Sequence, residues 1–420
     1  MPALYKHRKL IIILIILTAF VGSLGAHKAR GRIRNYADFH CFYTTGKRIL
    51  NHENIYIIKG RETSEFRYAP IFAVGMSALA LLNEDTADTI WYSLNFLMVV
   101  LSFALLKKLS IPENIDFKSG LIVYLLTILG SIRLILHNLS GGQTNILMLF
   151  SMLLGLYYIS KRREAWGACI FALSITIKYT PLIFIPYFIL RKKFKLAAIS
   201  LAAVMAYFIL PGLVIGMRTN FTYLKDLLPF LTQSTIFDKI TILDPKNQSL
   251  LSAIQRLFTN CIEWFHAPPM PFAGLKLGPM PIYTITLIAG ILLYLGILIP
   301  PKKAYFGANP TRYFNIDYAL LFICVTLFNM NAWPANYILL TPGYFIVAYW
   351  VVKGHLKDKL LVTLLVGSWL LTIVTLKALI GNDLSNKTLF YSPFTLSGLL
   401  IFWALLRLKF AKISPKQERP

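Results

Sequence analysis

Apolar runs recur along this chain from Leu10 to Leu406, and many approach the roughly 20 residues that a helix needs to cross a bilayer core. A chain built this way has few solutions, because backbone polar groups in lipid must be satisfied within the segment itself. With 56% hydrophobic and 15% charged residues, the composition falls far from the roughly one quarter charged of a soluble domain. The first run, Leu10 to Ala26, follows Lys6, His7, Arg8 and Lys9. No small-x-small cleavage site ends it and further spans follow, so it reads as a retained first helix.

The net charge of +25 sits mostly at the ends of the apolar runs, where Lys and Arg orient helices and meet anionic headgroups. No nucleic-acid-binding motif accompanies it, so nucleic acid is not an expected partner. The four cysteines (Cys41, Cys169, Cys261, Cys324) are scattered, with no C-x-x-C spacing, and no metal or redox site is expected.

Basic connectors set the sidedness. Lys161-Arg162-Arg163, Arg191 to Lys195, Pro300 to Arg312, Lys353 to Lys359, the N-terminus and the tail with Arg407, Lys409 and Lys412 are all placed on the cytoplasmic side. Keeping both Arg163 and Arg191 inside requires two short crossings between them, turning at Lys178-Tyr179-Thr180-Pro181, where Pro181 disfavours helix at Thr180. Parity also assigns Tyr68 to Leu82 to a helix in or dipping into the outer interface. The expected crossings are 10–26, 88–107, 118–136, 143–160, 165–178, 180–190, 195–217, 281–300, 314–330, 336–352, 359–379 and 388–407, roughly twelve with both termini inside. The fold class is an all-α polytopic membrane protein, a single domain over 1–420. Two large outer segments, 27–87 and 218–280, leave short outer connectors, among them Ala378 to Lys387. Four N-x-S/T sequons (Asn138, Asn220, Asn247, Asn386) fall on outer segments.

Candidate functional groups gather on that outer side. Asp38 is flanked by apolar and aromatic residues in a loop with nine Lys or Arg between Lys28 and Arg67. That basic excess fits headgroup contact and equally fits a phosphate-bearing lipid substrate. Arg133 and His137 share one face at spacing i, i+4. Gln143 and Asn145 open the next span, Lys178 marks the helix break, Asn247-Gln248-Ser249 lies in the second large loop, and Trp333 with Asn336 begins a late span. Each alone reads as a cap, a hydrogen bond or an anchor; charged groups at membrane depth face protein or a watery cavity, and their joint placement suggests a site.

In order and wording these segments resemble glycosyltransferase family 87, membrane mannosyltransferases of the GT-C superfamily. The resemblance runs from Asp38, Gly46 and Tyr56 through Tyr68-Ala69-Pro70, Gly142-Gln143-Thr144-Asn145 and Lys178-Tyr179-Thr180-Pro181 to Asn247-Gln248-Ser249 and Trp333. It implies a GT-C-type bundle with interfacial helices in the first outer loop. It also implies a transferase that takes a sugar, mannose by family habit, from a polyprenyl-phosphate donor to a lipid or glycan acceptor on the outer face of the plasma membrane (the inner membrane of a Gram-negative cell). Asp38 matches the family's general base. Lys178, Arg133 and Arg67 are candidates for the donor phosphate, and Tyr68, His137, Gln143, Asn145, Asn247, Gln248, Ser249, Trp333 and Asn336 for substrate contacts. Neither cofactor nor metal is expected. One departure stands out: the relatives' late motif has His residues after the Trp, where this chain has Pro334, Ala335 and Asn336. A transporter or flippase of an anionic lipid is the main rival; it would show internal repeats and midplane charges. A lipid-linked polymerase or ligase would show paired Arg or His in the 218–280 segment, which lacks them.

Overall fold

The computed structural model describes residues 38–56, 66–110, 115–232, 243–258, 275–300, 316–353 and 358–411, with Thr18 and Phe20 alone from the first run. The expected first crossing at 10–26, the Pro300 to Arg312 connector beyond Pro300, and Lys412 lie outside the described residues. Among those described, every regular element is helical.

Among the described residues, six helices are long and apolar enough to cross a membrane. They are α3 (Glu84–Ser110), α4 (Phe117–Gly141), α8 (Phe194–Ile209, continuing through a turn to Ile215), α11 (Pro279–Leu298), the segment Pro334–Val352 that ends in α13 (Thr341–Val352), and α16 (Pro393–Phe410). Shorter apolar helices fill the gaps: α2 (Pro70–Ala80), α5 (Asn145–Ser160), α6 (Glu164–Ile177), the Thr180–Leu190 segment ending in α7 (Phe184–Leu190), and α12 (Ile316–Leu327). The remaining elements are α1 (Asp38–Leu50), α9 (Met217–Thr232), α10 (Leu250–Phe258), α14 (Lys359–Ile373) and α15 (Lys377–Leu389).

Of the twelve expected crossings, 88–107, 118–136, 195–217, 281–300, 336–352 and 388–407 fall on the long helices, and 143–160, 165–178, 180–190 and 314–330 on shorter apolar ones. One expectation needs correction. Crossing 359–379 ends at Ile373, and the supposed connector Ala378 to Lys387 is helical, α15 leaving α14 at 85°. The polar Asn382, Asp383 and Asn386 of α15 explain why it does not continue the span. Among the described residues of the 218–280 segment, α9 is mostly exposed, with Phe221 at 61%, and α10 is buried.

Burial separates a centre from a rim. In Pro334–Val352, 89% of the apolar window is buried, against 11% in α11. A helix apolar on all sides belongs in the middle of a bundle, whereas α11 turns an apolar surface to lipid. The centre of the molecule is α12, α13 and α16, packed on Ile323, Tyr337, Phe345, Ile401 and Phe402. Close backbone approach joins α5 to α6, where a Cβ on Gly167 would lie 2.7 Å from the Gly155 carbonyl oxygen.

Candidate active site

α1 begins at Asp38 and buries Phe39, Phe42, Tyr43, Gly46 and Ile49, the i, i+3, i+4, i+7 stripe of an amphipathic helix. Gly46 permits contact with α2: a Cβ there would meet the Met76 carbonyl oxygen at 2.6 Å. An aromatic cluster completes the clamp, with Phe42 edge-on to Tyr68 at 5.3 Å and to Phe72 at 5.1 Å, and Phe39 stacked on Trp91 at 6.1 Å. The Tyr56 hydroxyl donates to the Tyr68 carbonyl at 2.8 Å. Asp38 therefore projects from a first turn whose next residue is wedged into the core.

The facing wall is the turn after α4. Gly142 caps that helix in the left-handed conformation (φ 63°), the natural residue for it. Trp91 Nε1 donates to the Gly142 carbonyl at 2.8 Å, and a Cβ on Gly142 would fall 2.8 Å from that of Phe39. This locks the turn against α1 and delivers Gln143, whose side chain hydrogen-bonds Asp38. From Gln143 a chain of amides continues inward. Asn145 Nδ2 donates to Gln143 Oε1 at 3.2 Å and to Asn138 Oδ1 at 3.0 Å, while Asn145 Oδ1 accepts from Lys178 Nζ at 2.7 Å. Lys178 also donates to Asn336 Oδ1 at 2.9 Å. It stands where α6 ends, its backbone extended before the Pro181-containing 3-10 turn. The break that Pro181 imposes thus frees a lysine from helical packing and aims it at two amide oxygens.

Asp38 and Lys178 are coupled electrostatically. Burial pushes the Asp38 carboxyl up from the ordinary carboxylate range to about 6, and the Lys178 charge and the Gln143 hydrogen bond hold it from rising further. A carboxyl poised there is mostly ionised at neutral pH yet basic enough to accept a proton. Tyr68 joins the same group, its hydroxyl accepting from Thr144 Oγ1 at 3.3 Å. The buried Thr180 hydroxyl and the Asn331 side-chain oxygen have no hydrogen-bond partner among the described residues, and both stand beside this network in sequence or through Asn336.

Other sequence candidates sit elsewhere. The guanidinium of Arg133 donates to the Thr372 carbonyl and, at 3.2 Å, to that of Thr375, lying 4.8 Å over the Phe394 ring. It fastens α4 to α14. His137 is exposed; Arg67 is exposed too, but its charge acts on Tyr68, as does that of Asp38, so it borders the site. Trp333 is exposed beneath Lys246, whose Nζ lies 5.9 Å from the ring. Asn247, Gln248 and Ser249 are wholly buried and form a knot: Asn247 Nδ2 donates to the Met330 carbonyl at 2.8 Å, and Gln248 Nε2 to that of Leu389 at 2.9 Å. Buried Arg256, not singled out from sequence, completes it with bonds to the Asn247 carbonyl (2.7 Å) and Ser392 Oγ (2.7 Å). This knot holds the Met330 to Asn336 stretch, and so Asn336, in place. Of the four sequons, Asn138, Asn220 and Asn247 are buried, so the folded chain presents none of these amides for modification. No group of three His, Cys, Asp or Glu side chains comes together among the described residues.

The profile of glycosyltransferase family 87 matches residues 66–302, more than half of the chain. The chain belongs to glycosyltransferase family 87. It is accordingly a multi-pass membrane glycosyltransferase. Gln143, Asn145 and Lys178 lie inside the matched segment, and Asp38 and Asn336 outside it. No curated protein matches the chain.

Proposed function

We propose that this glycosyltransferase moves a hexose, mannose by family habit, from a polyprenyl-phosphate donor to a lipid or glycan acceptor, with Asp38 as general base. The observation that carries the reading is the linked set Asp38, Gln143, Asn145, Lys178 and Asn336: one carboxylate and one cation joined by amides in a half-buried site. In a single displacement, the acceptor hydroxyl oxygen bonds to the anomeric carbon from the face opposite the phosphate. The carbon–oxygen bond to phosphate breaks, its electron pair leaving with the lipid phosphate. The hydroxyl proton passes to an Asp38 oxygen. Configuration inverts, and the balance requires neither metal nor cofactor.

Asn145 and Asn336 accept from Lys178 through their amide oxygens and leave an ammonium hydrogen for the departing phosphate oxygen, where a fixed cation stabilises growing charge. Thr180 and Asn331 offer unpaired polar atoms for sugar hydroxyls. The basic connectors are read as cytoplasmic, which puts Asp38 at the outer face of the plasma membrane. The test is a screen of mannosyl, glucosyl and arabinosyl lipid phosphates with purified protein, product detected by mass. Transfer from a lipid-phosphate donor that Asp38→Asn abolishes is expected; transfer from a sugar nucleotide alone would overturn the donor class.

A further inference from the structure

Two connectors at the end of the bundle away from Asp38 share one geometry. After α5, Lys161-Arg162-Arg163 turns the chain into α6, and after α7, Arg191-Lys192-Lys193 turns it into α8. In each the middle residue is left-handed, Arg162 at φ 61° and Lys192 at φ 58°. In each the third amide bonds back to the fifth residue before it, Arg163 to Tyr158 and Lys193 to Phe188. Glycine takes this backbone conformation without strain, and it is the residue that usually ends a helix in such a turn. Long cations occupy both positions instead, so charge is retained where the backbone would favour its loss.

The first connector meets the first turn of α8, which the second connector leads into. An open cleft of about 350 Å³ is lined by Arg162, Arg163, Glu164, Ala165, Trp166 and Lys195. The three cations outnumber Glu164, and none of the three has a side-chain hydrogen bond or ion pair among the described residues. Trp166 is 70% exposed at its edge. An indole left open at the start of a membrane helix sits at headgroup depth, its ring in the acyl boundary and its N–H toward water.

We propose that this cleft binds the phosphate headgroup of an anionic membrane phospholipid, Arg162, Arg163 and Lys195 holding the phosphate and Trp166 flanking the glycerol and upper acyl chain. The lipid is favoured over a free anion because the cleft opens beside an exposed indole and apolar α6 and α8 surfaces, including Phe194 at 61% exposure. The site lies away from Asp38, so it is separate from the donor phosphate.

The test uses the full chain in detergent, equilibrated with equal phosphatidylglycerol and phosphatidylcholine, with retained lipid counted by native mass spectrometry. Wild type is expected to retain phosphatidylglycerol over phosphatidylcholine. Each cleft charge removed is expected to cost about fivefold, so Arg163→Gln with Lys195→Gln lowers retention by about 25-fold. Lys353→Gln, a basic residue outside the cleft, is the control and is expected to change retention less than about twofold. Arg162→Gly adds a signature that a purely structural turn lacks: unfolding temperature in phosphatidylcholine equal to or above wild type, with phosphatidylglycerol retention reduced. Undiminished retention by the double variant, an equal loss with Lys353→Gln, or complete displacement of the lipid by millimolar inorganic phosphate would each overturn the proposal.

Discussion

Two carboxylates, Asp317 and Asp38, are held in different ways. Asp317 opens α12 and is enclosed: Lys409 Nζ reaches its Oδ1 at 2.6 Å, and Arg191 and the Tyr187 hydroxyl each reach Oδ2 at 2.7 Å. Lys409 and Arg191 also bond the Ile297 carbonyl, so the knot ties α7, α11, α12 and α16 together. Asp38 has one coupled cation and one amide, and is partly open. A carboxylate surrounded by cations is a fastener; one with burial set against a single distant charge is held ready to change protonation state.

The comparison is broken most severely at the fastener. Asp317→Ala leaves Lys409 and Arg191 without their counter-charge and is expected to cost about 3–5 kcal/mol, read as lower thermal stability in detergent. The folded fraction should still turn over at the wild-type rate per molecule. Lys178→Met is expected to do the reverse, lowering transfer by about 10²–10³ with little change in unfolding temperature. If the two variants behave alike, the division between fastener and site fails.

A smaller effect sharpens the role of the α1–α2 clamp. Gly46→Ala drives a methyl into the Met76 carbonyl and should cost about 1–3 kcal/mol, with a rate loss from displaced Asp38 that Gly46→Ala with Met76→Ala does not recover, because the obstacle is backbone. Of similar size is a stability effect at Asp38 itself. Its folded pKa is raised, so this contribution is full below the ordinary value of 3.8, falls as pH rises through the window to about 6, and stays lost above it. Asp38→Asn should therefore stabilise the fold at pH 7 by about 1–3 kcal/mol, read as a higher unfolding temperature, while the difference vanishes near pH 4.

The helical, membrane-crossing class was legible because period and length are written in the apolar runs. The broken segment around Lys178 was legible because Pro181 and two flanking basic connectors leave no room for one straight crossing. Hydrogen-bond destinations were not. Arg133 and Lys178 read alike as cations at helix ends, yet Arg133 is consumed by the Thr372 and Thr375 carbonyls, a pairing across more than two hundred residues that no local pattern encodes. Asn247-Gln248-Ser249 reads as an open loop motif and is a buried brace, because the Arg256 that satisfies its carbonyl comes from the next helix. Asp317 had a usable signal: a lone acid at the head of an apolar run implies a buried partner, and Lys409 near the end of the last run is the basic residue placed to supply it.

The most direct test of Asp38 as the base is the pH dependence of single-turnover transfer, wild type beside Asp38→Asn, at saturating donor. Wild-type rate is expected to climb about tenfold per pH unit below a midpoint near 6 and level above it, while Asp38→Asn runs about 10²–10⁴ lower on the plateau with that limb gone. An Asp38→Asn enzyme that keeps the same limb, or transfers at the wild-type rate, would contradict the assignment.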